Sequence, residues 1–196
     1  MKKLIGVLGV LFVLGFILYS FFGGFYNTAI EYQENAKTSW ANVESAYQRR
    51  ADLIPNLVNT VKGYAAHEKE TLEAVIKARA AATQTKIDPT NITPEQMAKF
   101  QQAQQGLSGA LSRLLVTVEK YPELKADQHF LELQSQLEGT ENRIKVERDR
   151  FNKAVNVYNK HIKKFPGNML ASIFGFKEMS RFESEKGAEK APKVEF

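Results

Sequence analysis

The chain has 196 residues, 43% of them hydrophobic and 25% charged, which suits one ordinary folded unit with something small beside it. It contains no cysteine, which excludes disulfides, thiolate metal sites, cysteine nucleophiles and lipid attachment through a thioether. The formal charge is +5, but Lys2 and Lys3 precede an apolar leader and the remainder is close to balanced, so the composition argues against nucleic acid as a partner.

From Leu4 to Tyr26 there is no formal charge. At ~1.5 Å rise per residue the run makes ~34 Å of helix, enough to cross a bilayer core of ~30 Å. A cleaved signal peptide is the competing reading, but its apolar core is shorter and ends in a small-x-small site. Ser20-Phe21-Phe22 and Gly23-Gly24-Phe25 are poor sites of that kind, so a retained membrane anchor is expected. Lys2 and Lys3 lie before the span, and only Glu31, Glu34 and Lys37 are charged just after it. The positive-inside rule then puts the N-terminus in the cytoplasm and the rest outside.

Asn27 to about Thr83 reads as helix. Trp40, Val43, Tyr47, Ile54, Leu57, Val61 and Tyr64 recur at helical spacing on one face. Pro55 removes a hydrogen bond and disfavours helical geometry at Ile54. Either the helix kinks there, or Asp52 caps a new helix with Pro55 in its first turn; the unbroken apolar phase favours the kink. Gln84 to Thr93, with Asp88-Pro89-Thr90-Asn91, is a loop. Thr93-Pro94-Glu95-Gln96 is a capping box with proline at the first helical position.

The next helix repeats Met97, Phe100, Gln104, Leu107, Leu111, Leu114 and Val118, a regularity that belongs to bundle or coiled-coil packing. Gly106 and Gly109 suggest close approach of a neighbour. Tyr121-Pro122 ends this helix, and Asp127 can cap the last one, whose face is Phe130, Leu133, Leu137, Ile144, Phe151, Val155, Tyr158, Ile162 and Phe165. Pro166-Gly167 stops it. Met169 to Phe176, with Phe174 and Phe176, is a short apolar segment suited to covering the bundle, touching the bilayer or receiving a neighbour. Glu183 to Phe196 is too polar to order itself.

No strand alternation of any length occurs. The expected fold is all-α: an N-terminal transmembrane helix followed by an antiparallel bundle of three or four long helices. The divisions are 1–26 for the cytoplasmic start and span, 27–165 for the bundle, 166–182 for the apolar C-terminal segment and 183–196 for a disordered tail.

Arg49 and Arg50 stand beside Asp52 and Asn56, while the last helix offers Glu138, Glu141, Asn142 and Arg143 near its apolar face. One reading is an inter-helix clamp in which an arginine grips Glu138 or Glu141 and sets register, because the planar guanidinium pairs bidentately with carboxylate. The other is two solvated faces. His67 with Glu70 and His129 with Glu132 put imidazole and carboxylate one turn apart, but the order is the reverse of helical di-metal sites, so no metal is expected. Nucleophile elbows and zinc-protease spacings are missing, and no catalytic residue, cofactor or small-molecule substrate is expected. Arg143, Lys145, Arg148 and Arg150, interleaved with Glu147 and Asp149, read as an exposed helix face. Trp40 reads as a core or bundle-edge residue.

The run Trp40 to His67, above all Arg49-Arg50-Ala51-Asp52-Leu53-Ile54-Pro55-Asn56-Leu57-Val58 and Val61-Lys62-Gly63-Tyr64, carries a family resemblance. It continues through Ala78-Arg79, Leu137 to Ile144, Phe151 to Val155 with Tyr158-Asn159, Phe165-Pro166 and Phe174-Gly175-Phe176. With these motifs in order from about Leu4 to Phe182, the chain resembles the LemA family. Phe151 stands where that family usually has tyrosine, and Glu178-Met179-Ser180 where a proline-bearing run is common. The resemblance implies a bacterial single-pass membrane protein built as a long-helix bundle, without established catalytic activity. The function expected is that of a scaffold or interaction module of the cell envelope, probed through Trp40, Tyr47, Arg49, Arg50, Asp52, Pro55, Asn56, Glu138, Glu141 and Asn142. Its partners would be the bilayer, copies of itself or another envelope protein; an accessory subunit of an envelope enzyme such as a protease is the alternative.

Overall fold

A computed structural model describes residues 2–183. The side chains of Lys2 and Lys3, and the polar tail from residue 184, lie outside the described residues. The fold is all-α, with one apolar helix at its N-terminus long and apolar enough to cross a membrane.

That helix does not stop where the apolar run does. Helix α1 spans Lys2–Tyr64, 63 residues and roughly 95 Å. Its large apolar side chains are exposed from Leu4 to Phe22, whereas Ala29, Ala36, Trp40 and Val43 are fully buried. One helix thus carries a lipid-type surface into a packed face. Pro55 lies inside α1 and is exposed, so Asp52 begins no new helix. Ile54, Leu57 and Val61 stay buried on either side of it, and their packing holds the helix across the missing hydrogen bond.

The single helix expected from Asn27 to Thr83 is in fact divided, ten residues beyond the proline. The chain turns at Ala65–Glu68, where Ala65 N–H donates to Val61 O and Glu68 N–H to Ala65 O. Helix α2, Lys69–Gln84, then folds back so that Leu72 and Val75 join Val58 and Val61 in one cluster. Burial of that apolar face decides the break, which local propensity did not reveal.

Helix α3, Pro94–Val118, starts at the capping box: Gln96 N–H donates to Thr93 Oγ1 at 3.3 Å and Thr93 N–H to Gln96 Oε1 at 3.2 Å. A short α4, Pro122–Lys125, leads into α5, Gln128–Lys163. Asp127 caps α5 through Phe130 N–H at 2.8 Å and accepts the Tyr64 hydroxyl at 2.9 Å, tying the start of α5 to the end of α1. Gly106 and Gly109 serve no close approach, since a Cβ at either would meet nothing within 4 Å. Gly167 does: a Cβ there would lie 2.5 Å from the His161 carbonyl oxygen and 2.9 Å from the Phe25 ring.

Helix α5 lies along α1 and the contacts run in opposite sequence directions. Phe25 stacks on His161, Trp40 meets Phe151, Arg50 pairs with Glu141 and Tyr64 with Asp127. Helices α2 and α3 pair with each other, and α2 rests on α1. Two clusters of buried apolar side chains result. A proximal one holds Trp40, Tyr47, Phe100, Phe151 and Tyr158, and a distal one holds Ile54, Leu57, Leu107, Leu114 and Leu133.

Helix α6, Gly167–Phe174, ends at Gly175, whose φ of 75° is left-handed and favours glycine. The chain then runs extended along α5. Asn159 bonds both backbone groups of Met179 at 2.8 and 3.0 Å, and Asn152 both groups of Phe182 at 3.1 and 2.9 Å. Ser180 N–H donates to Ile92 O at 3.1 Å. Met179 and Phe182 are thereby sealed into the proximal core.

Candidate functional site

The two clusters meet at a polar layer that three helices build. On α1, heptad-like spacing from Tyr47 to Ile54 brings Arg50 to the inward face, where it is 2% exposed. Its Nη1 donates to Glu141 Oε2 at 2.7 Å and Ser108 Oγ at 3.0 Å, and its Nη2 to Gln104 Oε1 at 2.8 Å. Gln104 donates on to the carbonyl of Ala82 at the end of α2. Close by, Arg79 Nε donates to the Ala51 carbonyl at 2.7 Å. One guanidinium thus joins α1, α3 and α5 and, through Gln104, α2. Arginine suits this because its fork presents several donors in a fixed plane and keeps its charge when buried.

Tyr47 lies one turn before Arg50, its ring edge-on to Phe100 at 5.0 Å and 5.2 Å from the Arg50 guanidinium carbon. Burial pushes its phenol pKa up, against the pull of Arg148 and Arg50. Trp40 is fully buried between Phe100 and Phe151, each 5.2 Å away, and stacks on Phe182 at 5.9 Å. The layer opens sideways into a polar groove of about 570 Å³ lined by Tyr47, Arg50, Gln101, Ser108, Glu141 and Arg148.

Of the carboxylates offered to the arginine pair, Glu141 meets Arg50, and Glu138 accepts instead from Gln134 on its own helix. Arg49 is exposed and lines a second groove, of about 500 Å³, with Asn42, Ser45, Gly139 and Arg143. Asp52 is exposed and accepts from Gln48 at 2.7 Å; Pro55, Asn56, Glu138 and Asn142 are exposed as well. Phe174 and Phe176 are remote from this layer and gather around Phe25 and Tyr26.

The helix face read as solvated from Arg143 to Arg150 is not uniform. Glu147 is fully buried, its Oε1 held by Arg143 Nε at 2.7 Å and Arg150 Nη1 at 3.0 Å, two arginines that remain largely exposed. The sign was a gap: the apolar face of α5 steps by seven from Leu137 to Ile144 to Phe151, and the vacated positions are Thr140 and Glu147, both buried. Asn152 and Asn159, the other residues missed, share that seven-residue step. Gln104 was legible as a polar break in an apolar row, but its partners were not.

Tyr64 and Asp127 perturb each other at the far end. Asp127 is held below the usual carboxylate range, first by Phe130 N–H and then by the Tyr64 hydroxyl, while the Tyr64 phenol is raised by the same carboxylate. Among the described residues, no group of three or more His, Asp or Glu side chains is disposed to hold a metal ion.

Fold and site define a helical protein tethered by one apolar N-terminal helix, with a polar layer between two apolar cores. The LemA family model matches residues 39–196, and the chain belongs to that family. It is 30% identical over 184 residues to magnetosome protein MamQ 2 of Paramagnetospirillum magneticum, covering 85% of this chain and 67% of the relative. The same identity and coverage relate it to magnetosome protein MamQ of Magnetospirillum gryphiswaldense. Protein LemA of Metamycoplasma hominis is 23% identical over 186 residues, covering 92% and 81% of the two chains. Family membership, together with the apolar helix at its start, classes the protein as membrane-anchored.

Proposed function

We propose that the protein is a scaffold or interaction module of the bacterial cell envelope that assembles with copies of itself. The arrangement put forward is an antiparallel bundle of long helices held outside the cytoplasm, with the N-terminus inside. The domain divisions expected from sequence belong to the same proposal. The observation that carries it is the continuity of α1 from exposed apolar span to buried bundle face, which transmits any assembly of bundles directly to the membrane. Arg50, Trp40 and Tyr47 serve as framework, setting the register of α1, α3 and α5. The exposed residues Arg49, Asp52, Pro55, Asn56, Glu138 and Asn142 are the surface offered to a partner. Contact, not turnover, is the mechanism.

Native mass measurement in mild detergent, with cross-linking in intact membranes, tests this. Ladders of the chain with itself are expected. A strictly monomeric mass without such ladders overturns self-assembly, and cross-links to a single foreign envelope enzyme transfer the reading to an accessory subunit.

A further inference from the structure

The geometry points to α6 as a second membrane contact, a foot whose outer stripe lies in the bilayer interface beside the point where α1 emerges. From Phe165 to Phe176 the chain has no charged residue, and Lys164 and Lys177 bracket the run, while Lys163 beside them is paired with Glu178 at 2.9 Å. Gly167, Leu170 and Ala171 turn inward and are buried. Met169 and Ile173, four residues apart on α6, form an outward stripe that is 59% and 70% exposed, and Phe165, which lies past the end of α5 and not on its apolar face as expected, is 81% exposed just before the helix. An apolar stripe flanked by lysines is the pattern of a segment that rests at a lipid surface, its hydrocarbon among acyl chains and its ammonium groups among phosphates.

Position in the fold names the occupant. Phe174 meets Tyr26 at 5.2 Å and Phe25 at 6.4 Å, so α6 is fastened to the last residues of the apolar span. The span measures ~34 Å from Leu4 to Tyr26 against a hydrocarbon core of ~30 Å, which brings Phe25 and Tyr26 to the headgroup boundary. Ile173, next to Phe174 in the chain, is thereby held near the end of the exposed apolar run of α1. Gly167 lets α6 sit this close, since any side chain there would strike the His161 carbonyl and the Phe25 ring. A lone helix can rotate and tilt in lipid; a foot beside it fixes which faces of the bundle look along the membrane. This contact does not depend on self-association.

The absence of cysteine makes the test direct. Full-length chains carrying Ile173→Cys or, for comparison, Val116→Cys on α3, 69% exposed in the distal half, are labelled with an environment-sensitive fluorophore. They are reconstituted in vesicles of phosphatidylcholine and phosphatidylglycerol. A spin label carried high on the acyl chain is expected to quench the probe at 173 several-fold more than that at 116, and aqueous iodide several-fold less. Met169→Cys, on the same stripe, should follow 173. Equal behaviour of the 173 and 116 sites overturns the proposal, and so does a 173 probe shielded from both quenchers, because a second copy or another protein then covers the stripe.

Discussion

The proximal and distal halves of the bundle are built differently. The distal core, from Ile54 outward, is mainly aliphatic, with Phe130 a buried aromatic within it, and is drawn from the helices and from Ala65 at the turn between α1 and α2. The proximal core is rich in aromatics, with Trp40, Tyr47, Phe100, Phe151 and Phe182 in edge or stacked contact, and its last wall is the non-helical C-terminal strap, residues 176–183, held by two asparagines. The half nearest the membrane thus depends on residues far apart in sequence. Arg50 and Gln104 stand between the halves, where a slip of one turn would leave a buried guanidinium without its partners. The difference teaches that polar groups from three helices meet at the junction while apolar ones pack on either side, an arrangement suited to setting register in the middle.

The comparison breaks most visibly at Trp40. Trp40→Ala should cost ~3–5 kcal/mol and loosen the C-terminal strap, whereas Leu114→Ala, costing ~2–5, should leave the strap protected. Denaturant unfolding with hydrogen exchange distinguishes the two. If both substitutions expose residues 176–183 equally, the halves are one unit.

At the junction, Arg50→Ala should cost about 1–3 kcal/mol by leaving Gln104 and Ser108 short of a donor, and the loss should register in both halves. Asn159→Ala removes both bonds to Met179 and should cost about 1–3 kcal/mol, with faster exchange confined to the proximal half. An unchanged melt for either variant would contradict the role given to it.

The distal end should show an acid limb. Asp127 has a depressed pKa in the folded chain, so its stabilisation is present above the unfolded value and is lost as pH falls through the folded one, below about pH 4. Asp127→Asn, which keeps the cap acceptor without the charge, should flatten that limb in a series of melts. The smallest effect is expected from Glu141→Gln: its side chain is 60% exposed, so the pair with Arg50 contributes less than ~1 kcal/mol. A larger loss on thermal unfolding would shift weight from the Arg50–Gln104 bonds to the ion pair.

Much of the fold was readable from spacing alone. Helical periodicity marked α3 and α5, and Thr93 and Asp127 announced their starts, because a capping residue acts within four positions of itself. The turn at Ala65–Glu68 was not readable, since nothing local forbids helix there; it exists because Leu72 and Val75 gain a buried face by folding back. Glu147 read as solvent-exposed since its neighbours are charged, yet its own position in the heptad points inward. Arg50 could be nominated from the sequence, but Glu141 could be chosen over Glu138 only once α1 and α5 were in register.

By itself, then, the sequence determined what acts over a few residues or by composition: an all-helical chain, an apolar leader of bilayer length, and the caps and stripes of its long helices. Tertiary structure alone decided that leader and bundle share one helix, that the C-terminal strap closes the proximal core, and which polar groups meet in the middle. These depend on burial and hydrogen bonding between segments as distant as Arg50 and Glu141, whose energies exist only after the helices have come together.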